Sequence, residues 1–244
     1  MKNLFELPDI QDVYGSIDDI RAATDAEGFS IVRGAVSVEF VNSLRDMTNK
    51  IFKKDGDIRV SGNYQRGSKD FQRLDLGEYP ASTRFTRFFM FFPWNNAEVF
   101  SEISRHQIDI LNLLSRKDKS FGSASEGDSN DRRYRMSYLL QYPRGGGFMS
   151  EHREYTAEEE GDKAYVVYLA LTTRGEDFQK GGAYVKKGDE VIDIEGQVRA
   201  SDLVIYRGDM YHGVSGIDSD KPVELDTLNG RMMMTSVVRY FQDE

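Results

Sequence analysis

From residue 133 onward the chain is cut into short runs separated by Gly- and Asp-rich turns. The runs are Arg133 to Tyr142, Lys163 to Thr172, Gly182 to Val185, Glu190 to Ile194, Asp202 to Tyr206 and Arg231 to Phe241. Segments so short and so regularly punctuated read as the strands of an antiparallel sandwich or barrel. The half before them differs in character. Ser16 to Ala26 carries Ile17, Ile20 and Ala23 at helical spacing with acids in its first turn, and Glu27-Gly28 ends it. Phe29 to Arg33 predicts a short strand. Ser37 then caps a second helix, whose stripe of Val38, Val41, Leu44, Met47 or Thr48, and Ile51 runs to about Phe52. Residues 1 to 15 read as a loose lead-in.

Lys53 to Tyr79 is polar and without periodicity, which fits a long surface loop or a lid over a site. Thr83 to Trp94 predicts one aromatic strand stopped by Pro93, with Arg84 and Arg87 on opposite faces. Asn95 or Asn96 then caps a helix carrying Val99, Ile103, Ile110 and Leu113 or Leu114. His106 falls in that helix and reads as a surface or packing histidine. Lys117 to Asp131 is a turn-rich connection, not a domain boundary, because the earlier helices cannot close a core alone. The expectation is one domain over 1–244. Its helical and strand support spans about 1–132, and its β core about 133–241.

Composition removes several functions. A net charge of -9 disfavours a nucleic acid partner. The absence of cysteine rules out disulfides, thiolate zinc sites and a cysteine nucleophile. The N-terminal MKNLFELPDIQD is acidic and lacks the apolar core of a signal peptide. No run approaches the ~18 apolar residues that a membrane span needs. A cytoplasmic protein with no membrane partner is expected.

Metal chemistry enters at YPRGGGFMSEHRE. His152 and Glu154 stand two apart, so on a strand they point the same way and can grip one ion. The other histidines are His106 and His212. His212 lies in IYRGDMYHGVSG, a strand-like run ending in a glycine-flanked turn. Two histidines and one carboxylate on one side of a metal form the facial triad of non-haem Fe(II) oxygenases, which keeps positions open for oxygen and a cosubstrate. Each residue alone has an ordinary reading. His152 and Glu154 would be exposed polar groups beside the acidic EYTAEEEGDK run, and His212 a turn histidine. Taken together, and followed by Arg231, they favour a site. Arg231 opens RMMMTSVVRYF and alternates onto one face with Met233, Thr235, Val237 and Arg239. Its apolar neighbours place it on a partly buried face, where a guanidinium needs an anion. The far carboxylate of a metal-chelating 2-oxo acid would serve, bound through the planar fork. Arg239, the competing arginine, sits near the chain end and is expected to be solvated.

The combination resembles the Fe(II)/2-oxoglutarate-dependent dioxygenases over roughly Tyr134 to Phe241. Tyr142 and the Gly-rich spacing lead to His152-Arg153-Glu154. Gly181-Gly182-Ala183-Tyr184-Val185 is similar to that family's "GGxL" strand, and Asp202-Leu203-Val204-Ile205-Tyr206 to its "GDLLIF". His212-Gly213-Val214 and Gly230-Arg231 follow in the family's order. The resemblance implies a mainly β fold with flanking helices, a double-stranded β-helix or jelly roll of the cupin-like kind. It implies Fe(II) held by His152, Glu154 and His212, with Arg231 pairing with the distal carboxylate of 2-oxoglutarate. Tyr142 resembles a tyrosine that helps hold this cosubstrate in prolyl-hydroxylase-like members. Gln141, on the other face of the same strand, competes for that role.

Three departures stand out: Glu154 in place of the commoner Asp, a long span from His212 to Arg231 that requires residues 218–228 to loop out, and Met233 where some members carry Ser. Thr235 is a possible substitute there. Related halogenases lack the carboxylate, so Glu154 implies hydroxylation, or a related oxidation such as desaturation. The resemblance further implies molecular oxygen and a small-molecule substrate, such as a free amino acid or natural-product intermediate. Arg84, Arg87 and the 53–79 segment are candidates for binding a substrate carboxylate. A protein side chain as substrate, a non-catalytic jelly-roll binding protein and a cupin-like metal enzyme are the alternatives. The sequence gives no oligomeric state.

Overall fold

The computed structural model describes residues 2–54, 72–75, 78–79, 83–84, 86–92, 98–117, 133–154 and 165–240. In chain order the elements are β1 (Leu4–Glu6), α1 (Ile10–Gly15), α2 (Ile17–Glu27), β2 (Phe29–Arg33), α3 (Val38–Lys54), β3 (Gln72–Asp75), β4 (Glu78–Tyr79), β5 (Thr83–Arg84), β6 (Arg87–Phe91) and α4 (Glu98–Leu114). Then come β7 (Arg133–Pro143), β8 (Phe148–His152), β9 (Tyr165–Ala170), β10 (Gly182–Lys187), β11 (Glu190–Asp193), β12 (Leu203–Arg207), β13 (His212–Ser215) and β14 (Gly230–Tyr240). They form two sheets. One runs β1-β2-β12-β9-β14-β7-β6-β3, the other β11-β10-β13-β8-β5-β4. This is the jelly-roll arrangement expected for the second half, with the first half adding strands to both sheets.

Side-chain alternation explains the layering. On β12, Leu203 and Ile205 pack under the helices with Ile20, Leu44 and Ile110, while Val204 and Tyr206 turn towards the other sheet. On β9, Val167 and Leu169 take the helix side, and Tyr168 and Ala170 the inner side. The larger sheet is therefore covered on both faces. Its strands read as continuous apolar runs instead of alternating apolar and polar residues.

The N-terminal half differs from expectation in three places. Residues 2–15 are not a loose lead-in. β1 pairs in parallel with β2, and α1 is capped by Asp9, whose Oδ1 accepts from the Gln11 N–H at 2.8 Å. Thr83 to Trp94 is not one strand. β5 pairs with β8 in one sheet and β6 with β7 in the other, so the chain changes sheets between them. The polar stretch after α3 contains β3 and β4, and the proposed lid otherwise lies outside the described residues. Ser37 does cap α3, its Oγ accepting from the Phe40 N–H at 3.1 Å.

The long span between His212 and Arg231 does not loop away from the body. Gly145 and Gly146 both donate backbone N–H groups to the Ile217 carbonyl, at 3.0 and 2.8 Å. A Cβ on Gly145, where φ is +90°, would lie 2.3 Å from the Val223 backbone. Buried Asp218 accepts from the Gln179 and Lys180 N–H groups and sits 3.2 Å from Arg144 Nε. The glycine run thus serves close approach of two backbones, beyond the tight turning its sequence suggests. Among the described residues, no helix is long and apolar enough to cross a membrane.

Candidate metal centre

β8 and β13 are antiparallel neighbours, and His152 is the direct cross-strand partner of His212. Side chains directly opposite on one face lie close together. The two imidazole centroids are 4.3 Å apart. His212 opens β13, after the turn that separates it from β12. Glu154 lies just past the end of β8, tethered by its backbone N–H to the Gly208 carbonyl at 2.9 Å. Its Oε1 is 3.6 Å from His152 Nε2 and 3.5 Å from His212 Nε2. One donor atom from each of the three residues falls within 4.8 Å of the others.

Both rings are set for the same task. His152 Nδ1 is 2.8 Å from the Ser150 carbonyl, and His212 Nδ1 is 2.9 Å from the Met210 carbonyl. A carbonyl only accepts, so Nδ1 carries a proton in each ring, and Nε2 is the titrating atom that faces Glu154 when protonated and can bind a metal when bare. His212 Nε2 is buried and has no hydrogen-bond partner among the described residues. Such an atom signals a missing partner. Two adjacent ligand atoms around an ion roughly 2.1 Å from each are about 3 Å apart, close to the spacings found here. His152 and then His212 hold the Glu154 carboxyl far below its usual range, so it is an anion. Glu154 in turn raises His152 above its ordinary value, with burial opposing. The donor set of two neutral imidazoles and one carboxylate on one side suits a divalent transition metal.

The centre opens into a cavity of about 390 Å³ between the sheets. Phe88, Tyr138, Leu140, Met149 and Val214 give it apolar walls, and Arg231 enters from β14. Arg231 pairs across the ladder with Tyr142, so their side chains share a face. Met233, Thr235 and Val237 follow on that face and also line the cavity. Gln141 points the other way. Its amide accepts from Arg87 Nη1 at 3.0 Å and donates to the Asn229 carbonyl at 2.8 Å. It is therefore absent from the cavity wall, which corrects its place as the competitor of Tyr142. Arg87 is likewise buried, and its guanidinium also donates to the Thr227 and Leu225 carbonyls. This removes Arg87 from the substrate-binding candidates. The side chains of Arg84 and Arg239 lie outside the described residues. Thr235 donates its hydroxyl to the Val167 carbonyl at 2.8 Å. His106 is bound to Tyr14, its Nδ1 2.7 Å from the phenol oxygen, well away from the centre.

Sequence reasoning missed two features. Arg231 is paired inside the protein: its Nε donates to Glu195 Oε2 at 2.7 Å, and both side chains are 2% exposed. Burial would lower the arginine's pKa, but Glu195, with Tyr168 and Tyr142, more than offsets this and keeps it charged. The second feature is an aromatic wall. Tyr142 and Tyr168 flank Arg231, each ring centroid 5.4 Å from its guanidinium carbon. The Tyr206 ring lies 4.7 Å from that of His212. Burial pushes the Tyr142 hydroxyl up to about 12, so it stays protonated and can donate. Arg231 Nη1 and the Tyr168 hydroxyl are buried without hydrogen-bond partners among the described residues. The requirement for an anion beside buried Arg231 was legible; that Glu195 supplies it was not, since it sits in a polar turn sequence.

No protein-family model matches the sequence, and no curated protein matches it. Solved structures are similar in fold. A Pseudomonas putida prolyl-4-hydroxylase superposes with a TM-score of 0.59 at 13% identity, covering 93% of this chain and 98% of that one. A Trichoplax adhaerens prolyl hydroxylase, solved with a hypoxia inducible factor oxygen degradation domain peptide, gives 0.55 at 11% identity, over 95% and 91% of the two chains. The epimerase SnoN, solved with Fe3+, alpha ketoglutarate and nogalamycin RO, gives 0.55 at 10% identity, over 92% and 84%.

Proposed function

We propose that this chain, built on the fold of the Fe(II)/2-oxoglutarate-dependent oxygenases, is itself an oxygenase that hydroxylates an unactivated carbon of a small molecule. The observation that carries this is the buried Nε2 of His212, without a hydrogen-bond partner among the described residues, facing the Glu154 carboxylate and a second imidazole held in the same tautomer. Oxidation of an unactivated carbon is the chemistry that ferrous iron, 2-oxoglutarate and molecular oxygen supply together when bound. His152, Glu154 and His212 would hold the metal. Arg231 would bind the distal carboxylate of the 2-oxo acid through its unpartnered Nη1, and Tyr142 and Tyr168 would donate to the same group. Phe88, Tyr138, Leu140 and Val214 keep water away from the reacting carbon and define an apolar pocket for it. Because Glu154 fills the carboxylate position, the expected outcome is hydroxylation or desaturation, not halogenation.

A cavity of about 390 Å³ between two sheets has the size for a small molecule, such as an amino acid or natural-product intermediate. A protein side chain is the second reading. It is favoured by Tyr211, 45% exposed beside the metal ligands, with the Arg153 guanidinium 4.6 Å over its ring. The test has two stages. Without oxygen, Fe(II) plus 2-oxoglutarate should give a weak visible charge-transfer band in the parent protein and none in His152→Ala. If the parent stays colourless at saturating ligand, the oxygenase reading is wrong. With oxygen, coupled succinate release should single out the substrate from panels of metabolites and peptides.

A further inference from the structure

The Arg231–Glu195 pair has a design that anion binding alone does not require. Glu195 Oε2 accepts two hydrogen bonds, one from Arg231 Nε at 2.7 Å and one from the Ala183 N–H at 2.8 Å. The backbone of Glu195 is tied to the same residue, its N–H donating to the Ala183 carbonyl at 3.0 Å. Space for the side chain comes from Gly182: at its φ of +121°, a Cβ would lie 2.2 Å from Glu195 Cγ. The carboxylate is thus fixed by backbone, by glycine and by guanidinium together. It occupies only the Nε edge of Arg231 and leaves Nη1 buried without a hydrogen-bond partner among the described residues.

We propose that Glu195 is the positioning and charge-balancing residue of the 2-oxo acid anchor, an inference that rests on the oxygenase reading above. By taking Nε it fixes the plane of the guanidinium, so that Nη1 meets the distal carboxylate. By lending a negative charge it lets Arg231 stay buried while the anchor is empty, since an unpaired buried cation is costly. The same charge repels the incoming carboxylate across the guanidinium. Binding is therefore weaker, and more readily reversed, than at an unaccompanied arginine.

Two substitutions separate the effects. Glu195→Gln keeps an oxygen acceptor for Nε and removes the charge. Glu195→Asp keeps the charge and loses the reach. The measurement is calorimetric affinity of the Mn(II)-loaded protein, without oxygen, for 2-oxoglutarate and for 2-oxopentanoate, which chelates the metal but lacks the distal carboxylate. Glu195→Gln should bind 2-oxoglutarate about tenfold tighter and Glu195→Asp about tenfold weaker, with 2-oxopentanoate unchanged in both. Equal shifts for the two acids, or no shift in either variant, overturn the proposal. The Asp variant keeps both charges in the core, so it carries the test alone if the Gln variant does not fold. A parent protein that binds neither acid sinks the oxygenase reading instead.

Discussion

At the scale of single residues, the centre depends on which atom of each imidazole is left bare. Carbonyls at Ser150 and Met210 claim Nδ1, and only Nε2 remains to bind a metal. Replacing either histidine by Ala should therefore lower metal affinity by more than the roughly 10–100-fold typical of losing an outer partner, measured by Mn(II) calorimetry. Protons compete for the same atoms. The His152 pKa is raised, chiefly by the Glu154 carboxylate 3.6 Å from its Nε2, so the ring protonates at a higher pH than its ordinary 6.5. Metal affinity should fall as pH drops through that raised value; an affinity flat from neutral to mildly acidic pH would contradict the assignment. The candidate ligands were legible because H-x-E, common by itself, is followed by a distant histidine and then Arg231 in a chain with three histidines. Glu195 was not legible. A carboxylate within EVIDIEGQ looks solvated until the hairpin turns it inward.

At the scale of elements, the strands of the second half follow from short apolar runs and turn residues, and the observed bounds of β9, β12 and β14 lie within a few residues of that reading. The early aromatic stretch misled, because a strand that changes sheets has no local mark distinguishing it from one long strand. α1 was hidden by its length: six residues are too few to show a periodic stripe. The glycine run before β8 is an element in its own right. Gly145→Ala places a side chain both at positive φ and against the Val223 backbone. It should destabilise the fold by about 1–3 kcal/mol in urea unfolding. It should also increase proteolytic cutting within residues 219–224, whose docking it disturbs. Wild-type stability together with unchanged cutting would show that the contact is dispensable.

Across the whole molecule, the Arg231–Glu195 pair joins the two sheets, since Arg231 belongs to β14 of one and Glu195 follows β11 of the other. Arg231→Leu leaves a buried carboxylate uncompensated and should cost about 3–5 kcal/mol in chemical denaturation. Replacing both, as Arg231→Met with Glu195→Leu, should recover most of that loss while still lacking the proposed 2-oxo acid anchor. A metal bound only by the folded state should raise stability by about 2.7 kcal/mol at a hundredfold excess over its dissociation constant. A chelator should reverse this, and His212→Ala should abolish it.

The direct pairing of His152 with His212 has a wider meaning. The gap between the two imidazoles is a cross-strand distance of the sheet, like the rung spacing of a ladder, while Gly208 and Met210 in the turn before β13 hold Glu154 and orient the His212 ring. Segments at the rim other than that turn are thus open to lengthening or replacement, and new specificities can be grafted around a pair of imidazoles whose spacing the pleat keeps constant.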